Sequence, residues 1–287
     1  MRAFRAEALA CLALSDLLFT PSAAARAVFE RAGVESGRIA VVENGVDVDA
    51  IAAAVGAARA ASAAASGDTG GGEIRLGVLG TVLPSKGVAE LAEAVNEAAL
   101  DGLVLEVHGD LTPYHGYTGH LDRLRELAAA APNRVRLVAP FEREALPRVL
   151  AGLHGVAVPS TWDEVFGLSA REARAAGLPV LVSAAGGLPD VVADGGGLAV
   201  PRGDRAAWVA ALGRFMGTER ESWAQAPCRA RTTDAMAEEL LTRYADAIEQ
   251  RTGERPVMAG EVQAESASGP SAAPARRSFL GRLFGGR

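Results

Sequence analysis

From Ile74 onward the chain alternates short apolar runs with longer stretches of helical spacing. The runs at 74–79, 104–108, 135–138, 155–158, 180–183 and 198–200 are short enough to be buried strands. Helical spacing falls between them at about 87–99, 119–131, 143–151, 166–176 and 187–192, and then at 205–216. This alternation predicts an α/β fold, a parallel sheet with helices on both faces. Ligands of such sheets sit beyond the carboxyl ends of the strands. A terminal helix is expected over 234–250.

Ahead of Ile74 the pattern is sparser. Residues 4–14 read as a helix and Asp16 to Phe19 as a short strand. Thr20-Pro21-Ser22 caps a helix that ends at Gly33, and a strand follows from Arg38 to Glu43. Asn44-Gly45 closes it as a turn. Between Ala50 and Gly72 the composition collapses to Ala, Ser and Gly. The first part is compatible with helix, and "SGDTGGG" reads as a flexible surface loop. The chain therefore divides into an amino-terminal piece at 1–49, a linker or loop at 50–73, the sheet domain with its terminal helix at 74–250, and a disordered tail at 251–287. The tail ends in the basic, apolar "ARRSFLGRLFGGR", read as a solvated end or a weak membrane or partner contact.

Composition narrows the classes. Of 287 residues 49% are hydrophobic, enough for a sizeable core although much of it is alanine, and the net charge of -6 argues against nucleic-acid partners. Cys11 and Cys228 lack CxxC spacing, which favours a reduced compartment over a disulfide framework. No run of 18 apolar residues and no signal-peptide core is present, so a cytoplasmic location is expected. His108, His115, His120 and His154 show no ligand spacing, and no metal or other cofactor is expected. His108, closing a strand at the ligand edge, reads equally as a site residue or a structural one. Asp47-Val48-Asp49 spells a metal motif of another fold, but after Asn44-Gly45 it fits a helix cap better. "GDLTPYHGYTGH" is long for a connector and reads as a surface loop or a pocket border.

Two stretches carry chemistry. In "DEVFGLSAREARAAGLPV", Glu164 lies in a loop and Glu172 two turns into a helix expected from Phe166, ended by Gly177 and Pro179. On one helix eight residues span about 12 Å, too far for the acid and base pair of a glycosidase, which stand about 5–9.5 Å apart. Between the carboxylates lie free amides at the helix start, including those of Phe166, Gly167 and Leu168, an arrangement that binds anions. Carboxylate, amides, carboxylate is the order that suits hydroxyls at both ends of a ligand and phosphates in its middle, as in a nucleotide sugar. The second stretch, "GVLGTVLPSKGVAELAEAV", lacks both GxGxxG and P-loop spacing. It leaves a strand, a loop through Gly80 and Thr81, and Lys86 before a helix, where the lysine can neutralise a diphosphate or stand exposed. "SAAGGLPD" either presents the amides of Gly186 and Gly187 to a ligand or simply turns the chain.

Together, "VVENGVD", "GTVLPSKGV", "PSTWDEVFGLSAREARAAGLPVLVSAAGGLPDVV" and "GGLAVPRGD" resemble the carboxyl-terminal, donor-binding half of family 4 glycosyltransferases, which have the GT-B fold of two facing Rossmann-like domains; the resemblance implies an α/β fold here with a Rossmann-like doubly wound parallel sheet. The likeness covers roughly residues 4–250. It implies retaining transfer of a sugar from a nucleotide-sugar donor to an unknown acceptor, with residues 1–49 as a remnant of an acceptor domain that is largely missing or supplied by a separate partner. By resemblance Glu164 contacts sugar hydroxyls and Glu172 the ribose. Lys86, Gly80, Thr81 and the amides of Phe166, Gly167 and Leu168 face the diphosphate. Thr81 stands where the family often has arginine, and Arg143 or Arg171 is a candidate substitute. A non-catalytic nucleotide-sugar-binding module is the alternative; a GT-B epimerase or phosphorylase is the third.

Overall fold

The computed structural model describes residues 2–66 and 72–256. The chain opens with α1 (Arg2–Ala13), β1 (Leu18–Thr20), α2 (Ala23–Ala32), β2 (Ile39–Val41) and α3 (Val48–Ser66). The sheet domain continues with β3 (Ile74–Leu79), α4 (Val88–Ala98), β4 (Leu103–His108), α5 (Gly119–Ala130), β5 (Val135–Val138) and α6 (Leu146–Ala151). Then come β6 (Gly155–Val158), α7 (Leu168–Ala175), β7 (Val180–Ser183), β8 (Gly197–Val200), α8 (Arg205–Met216), α9 (Glu219–Gln225) and α10 (Thr233–Thr252).

Six strands form one parallel sheet in the order β5-β4-β3-β6-β7-β8. The chain works outward from β3 to β5, then returns to lay β6 on the other side of β3. The reversal leaves a crevice beyond the carboxyl ends of β3 and β6, the topological switch point. Both faces are covered, and β7 shows how. Leu181 enters a core with Leu76, Leu105, Trp208 and Phe215, whereas its neighbours Val180 and Val182 enter a second core with Val55, Leu150 and Val156. Successive side chains point to opposite faces, so a strand covered on both sides must be apolar throughout. The sequence 180–183 meets that requirement, and all four residues are buried.

The stretch read as linker or loop over 50–73 is helical for most of its length, because α3 runs through Ser66. Alanine is the best helix former, Asp47 Oδ1 accepts the Ala50 N–H at 3.2 Å as a cap, and Ile51 and Val55 sink into the second core. Residues 67–71, most of "SGDTGGG", lie outside the described residues. The tail expected from 251 meets α10, which continues through Thr252, and residues 257–287, with the basic end, lie outside the described residues. The helix expected over 187–192 is only a 3-10 turn at Pro189–Val192, since Gly186 and Gly187 are held against another loop. The helix expected from Phe166 begins at Leu168 after Gly167, whose φ of +75° is left-handed.

At the amino end, β1 and β2 pair in parallel around α2. Ser22 caps α2, its Oγ accepting the Ala25 N–H at 3.0 Å. Asn44-Gly45 forms no turn: a Cβ at Gly45 would lie 2.3 Å from Thr233 Cα, and the Val46 N–H donates to the Arg231 carbonyl at 2.7 Å. Glycine is needed there for close backbone approach. Among the described residues no helix is long and apolar enough to cross a membrane.

Candidate functional site

The switch-point crevice holds a cavity of about 390 Å³. Gly80 and Thr81 line it from the end of β3, Lys86 from the turn before α4, Ser160 and Glu164 from the loop after β6, and Gly167 and Leu168 from the start of α7. Six of the eight residues singled out in the sequence thus share one cavity. Phe166 is not among the lining residues, and its ring is buried with Val46 and Ala175. Glu172 sits further along α7, outside the residues lining this cavity.

Glu164 is buried, and three donors converge on its Oε1: Lys86 Nζ at 2.5 Å, Ser160 Oγ at 2.5 Å and Trp162 Nε1 at 3.1 Å. Burial is the largest influence on this carboxyl and pushes its pKa up, but the bonds from Lys86, Ser160 and Trp162 together outweigh it and hold the pKa below the ordinary value. The side chain is therefore an ionised acceptor whose Oε2 has no hydrogen bond among the described residues. Its backbone is fixed too. The Gly187 N–H donates to the Glu164 carbonyl at 2.7 Å, and Gly186, at φ +59°, passes so close that a Cβ would lie 2.1 Å from that oxygen. The "SAAGGLPD" loop buttresses Glu164 and spends the Gly187 amide on it.

The Lys86 ammonium also lies 5.7 Å from the Trp162 ring centroid. Lys86 reaches the crevice because Gly87 takes a left-handed turn, φ +65°, directly under Pro159. The N–H groups of Phe166 and Gly167 meet no protein acceptor among the described residues, and Leu168 opens a helix whose first amides are unpaired by geometry. A cation, open amides and an ionised carboxylate thus face one crevice, a combination that can hold a diphosphate beside a hydroxylated group.

Glu172 faces Arg143, whose guanidinium Nη1 comes within 2.5 Å of Oε1. The approach is an ion pair without hydrogen-bond geometry, and that buried oxygen has no hydrogen-bond partner. Arg171 does not reach the crevice: it lies over the Phe166 ring at 4.0 Å and donates from Nε to the Phe166 carbonyl at 3.3 Å. His108 is buried and paired with Glu106, Nε2 to Oε2 at 3.1 Å, which lowers the Glu106 pKa. In the aromatic loop Tyr114 and Tyr117 stand exposed, bridged to each other through their backbones. Reading by motif missed Ser160 and Trp162 as partners of Glu164. The available signal was a hydroxyl and an indole N–H in the same loop, four and two residues before the carboxylate.

Comparison with known proteins accords with this geometry. The glycosyl transferases group 1 family matches residues 64–227. A D-inositol 3-phosphate glycosyltransferase of Kineococcus radiotolerans is 32% identical over 263 residues, 85% of this chain and 60% of that protein. A protein of the same name from Salinispora tropica is 35% identical over 138 residues, 45% of this chain and 28% of its own length. The chain thus spans less than two thirds of these relatives. Among solved structures, sucrose-phosphate synthase of Thermosynechococcus elongatus superposes with a TM-score of 0.73 at 24% identity, over 87% of this chain and 63% of that one. Anabaena HepE, in complex with UDP and glucose, gives 0.65 at 20% identity over 80% and 63%. These likenesses show the fold, and the family match over more than half the sequence shows the lineage: the chain belongs to the glycosyl transferases group 1 family.

Proposed function

We propose that this chain binds a nucleotide-diphosphate sugar in the switch-point crevice and acts as the donor side of a retaining hexosyltransferase. The observation that carries the reading is the meeting of Lys86, the open amide of Gly167 and ionised Glu164 in one cavity. In this reading the diphosphate draws the Lys86 ammonium from Glu164 and takes hydrogen bonds from the amides at the start of α7. Glu164 then accepts from sugar hydroxyls, and Glu172 accepts from the ribose.

The bond between the anomeric carbon and the diphosphate oxygen breaks, the acceptor oxygen bonds to that carbon from the same face, and the acceptor proton passes to the departing diphosphate. Stabilising the negative charge on the leaving group is the main electrostatic task; Lys86 and the amides perform it without a metal ion. Glu164 and Glu172 position the donor and carry no proton. The acceptor, proposed to be presented by a separate domain, meets the sugar at the mouth of the crevice.

Calorimetric titration with UDP, GDP, ADP and their glucose and mannose conjugates tests the reading. Binding of one nucleotide series, lost in Glu172→Ala, is expected. A folded chain that binds none of them contradicts it, and binding without sugar transfer to any offered acceptor favours a binding module.

A further inference from the structure

A second cavity, of about 410 Å³, lies behind α7 and shares no lining residue with the crevice. Arg171, Arg174, Arg229, Asp190, Asp194 and Cys228 line it. Two of these charges are already used. Arg174, 2% exposed, donates to the carbonyls of Leu178, Trp223, Ala226 and Pro227 and stands 3.8 Å from Asp194. That clamp fixes the wall formed by the segment after α9.

Arg171 is different. It is 7% exposed, yet only Nε has an acceptor, the Phe166 carbonyl. Its terminal nitrogens meet no acceptor among the described residues, and they are absent from the atoms sealed from solvent. They therefore open into the cavity, while stacking on Phe166 holds the guanidinium plane in place. A nearly buried cation held in one orientation with its terminal donors turned to a cavity is set to give hydrogen bonds to an acceptor that enters there. Arg229 is exposed beside it without a partner among the described residues, and Asp190 at the rim is equally unpaired. With Arg174 and Asp194 balancing each other, Arg171 and Arg229 face one carboxylate.

We propose that this cavity is a binding site for a phosphate monoester carrying hydroxyl groups, separate from the donor crevice. Arg171 and Arg229 take the phosphate oxygens, the forked geometry in which arginine surpasses lysine. Asp190, which opposes a bare anion, accepts a hydroxyl of the ester. Glucose 6-phosphate and inorganic phosphate, titrated separately by calorimetry at constant ionic strength, are the probes. Arg171→Gln weakens both by about tenfold or more, and Arg229→Gln, at an exposed position that leaves the fold intact, by about three- to tenfold. Asp190→Asn weakens the sugar phosphate and tightens inorganic phosphate. Lys86→Gln changes neither. The proposal is overturned if both arginine variants bind like the parent, if Lys86→Gln abolishes binding and so places the phosphate in the donor crevice, or if neither probe binds at about 10 mM, well beyond the range of a specific site.

Discussion

Three donors on one oxygen decide how Glu164 titrates. Its folded pKa is depressed, so its contribution to stability is in place above the ordinary value of 4.5 and is lost as pH falls through the lower folded value. Lys86→Gln removes the strongest of these donors and leaves burial less opposed. The folded pKa then rises, and loss of stability on acidification starts at a higher pH than in the parent. At pH 7 the cost is about 1–3 kcal/mol; it falls short of a fully buried pair because Ser160 and Trp162 remain. Urea unfolding at a series of pH values from neutral to acid reads both effects. Gly186→Ala acts through the backbone instead: at φ +59° and with the Glu164 carbonyl in the way, it costs at least about 2 kcal/mol and displaces Glu164. Chemical unfolding at neutral pH measures it, and a cost below half that value would contradict the buttressing role. The pair of Lys86 and Glu164 could be suspected from the sequence because each stands where a strand-to-helix loop should meet the sheet edge. That they touch, 78 residues apart, depends on β3 and β6 being neighbours.

Helices and strands were readable to different degrees, and glycine shows why. Gly56 in α3 and Gly213 in α8 are exposed, and a Cβ at either would meet nothing within 4 Å. Each costs helix stability without using its freedom, so Gly56→Ala and Gly213→Ala each raise stability by about 0.5–1 kcal/mol. The double variant adds the two increments, being on separate helices; a denaturant midpoint that fails to rise would reveal a constraint at these sites that the packing does not show. At Gly45 the same residue type is indispensable, because Thr233 backbone occupies the space of a side chain. Asn-Gly reads as a turn locally, and only the tertiary contact changes its meaning. The strands at 155–158 and 180–183 were fully legible, since burial on both faces leaves short apolar runs. Helix α3 was legible only in part: its first residues were compatible with helix, but an Ala, Ser and Gly composition resembles a linker until Ile51 and Val55 find their core.

At the scale of the whole molecule, function depends on distances that no local pattern encodes. Strand order places the crevice between β3 and β6. Ser22 Oγ donates to the Val165 carbonyl at 2.5 Å across 143 positions, tying the amino-terminal piece to the loop that carries Glu164. Arg143 reaches Glu172 from the turn after β5. A donor that touches Lys86, the α7 amides and Glu172 at once should therefore stabilise the folded chain as a unit. A ligand at one hundred times its dissociation constant adds about 2.7 kcal/mol, which for a chain of this size is a rise in Tm of about 4–6 °C. Thermal unfolding with the nucleotide that binds best should show that rise in the parent. It should fall by more than half at the same nucleotide concentration in Lys86→Gln and Glu172→Gln, and persist in Arg229→Gln, whose side chain lies on the other cavity. Equal increments in all four proteins would mean that the nucleotide binds away from the crevice, and the assignment of Lys86 and Glu172 to the donor would fall together.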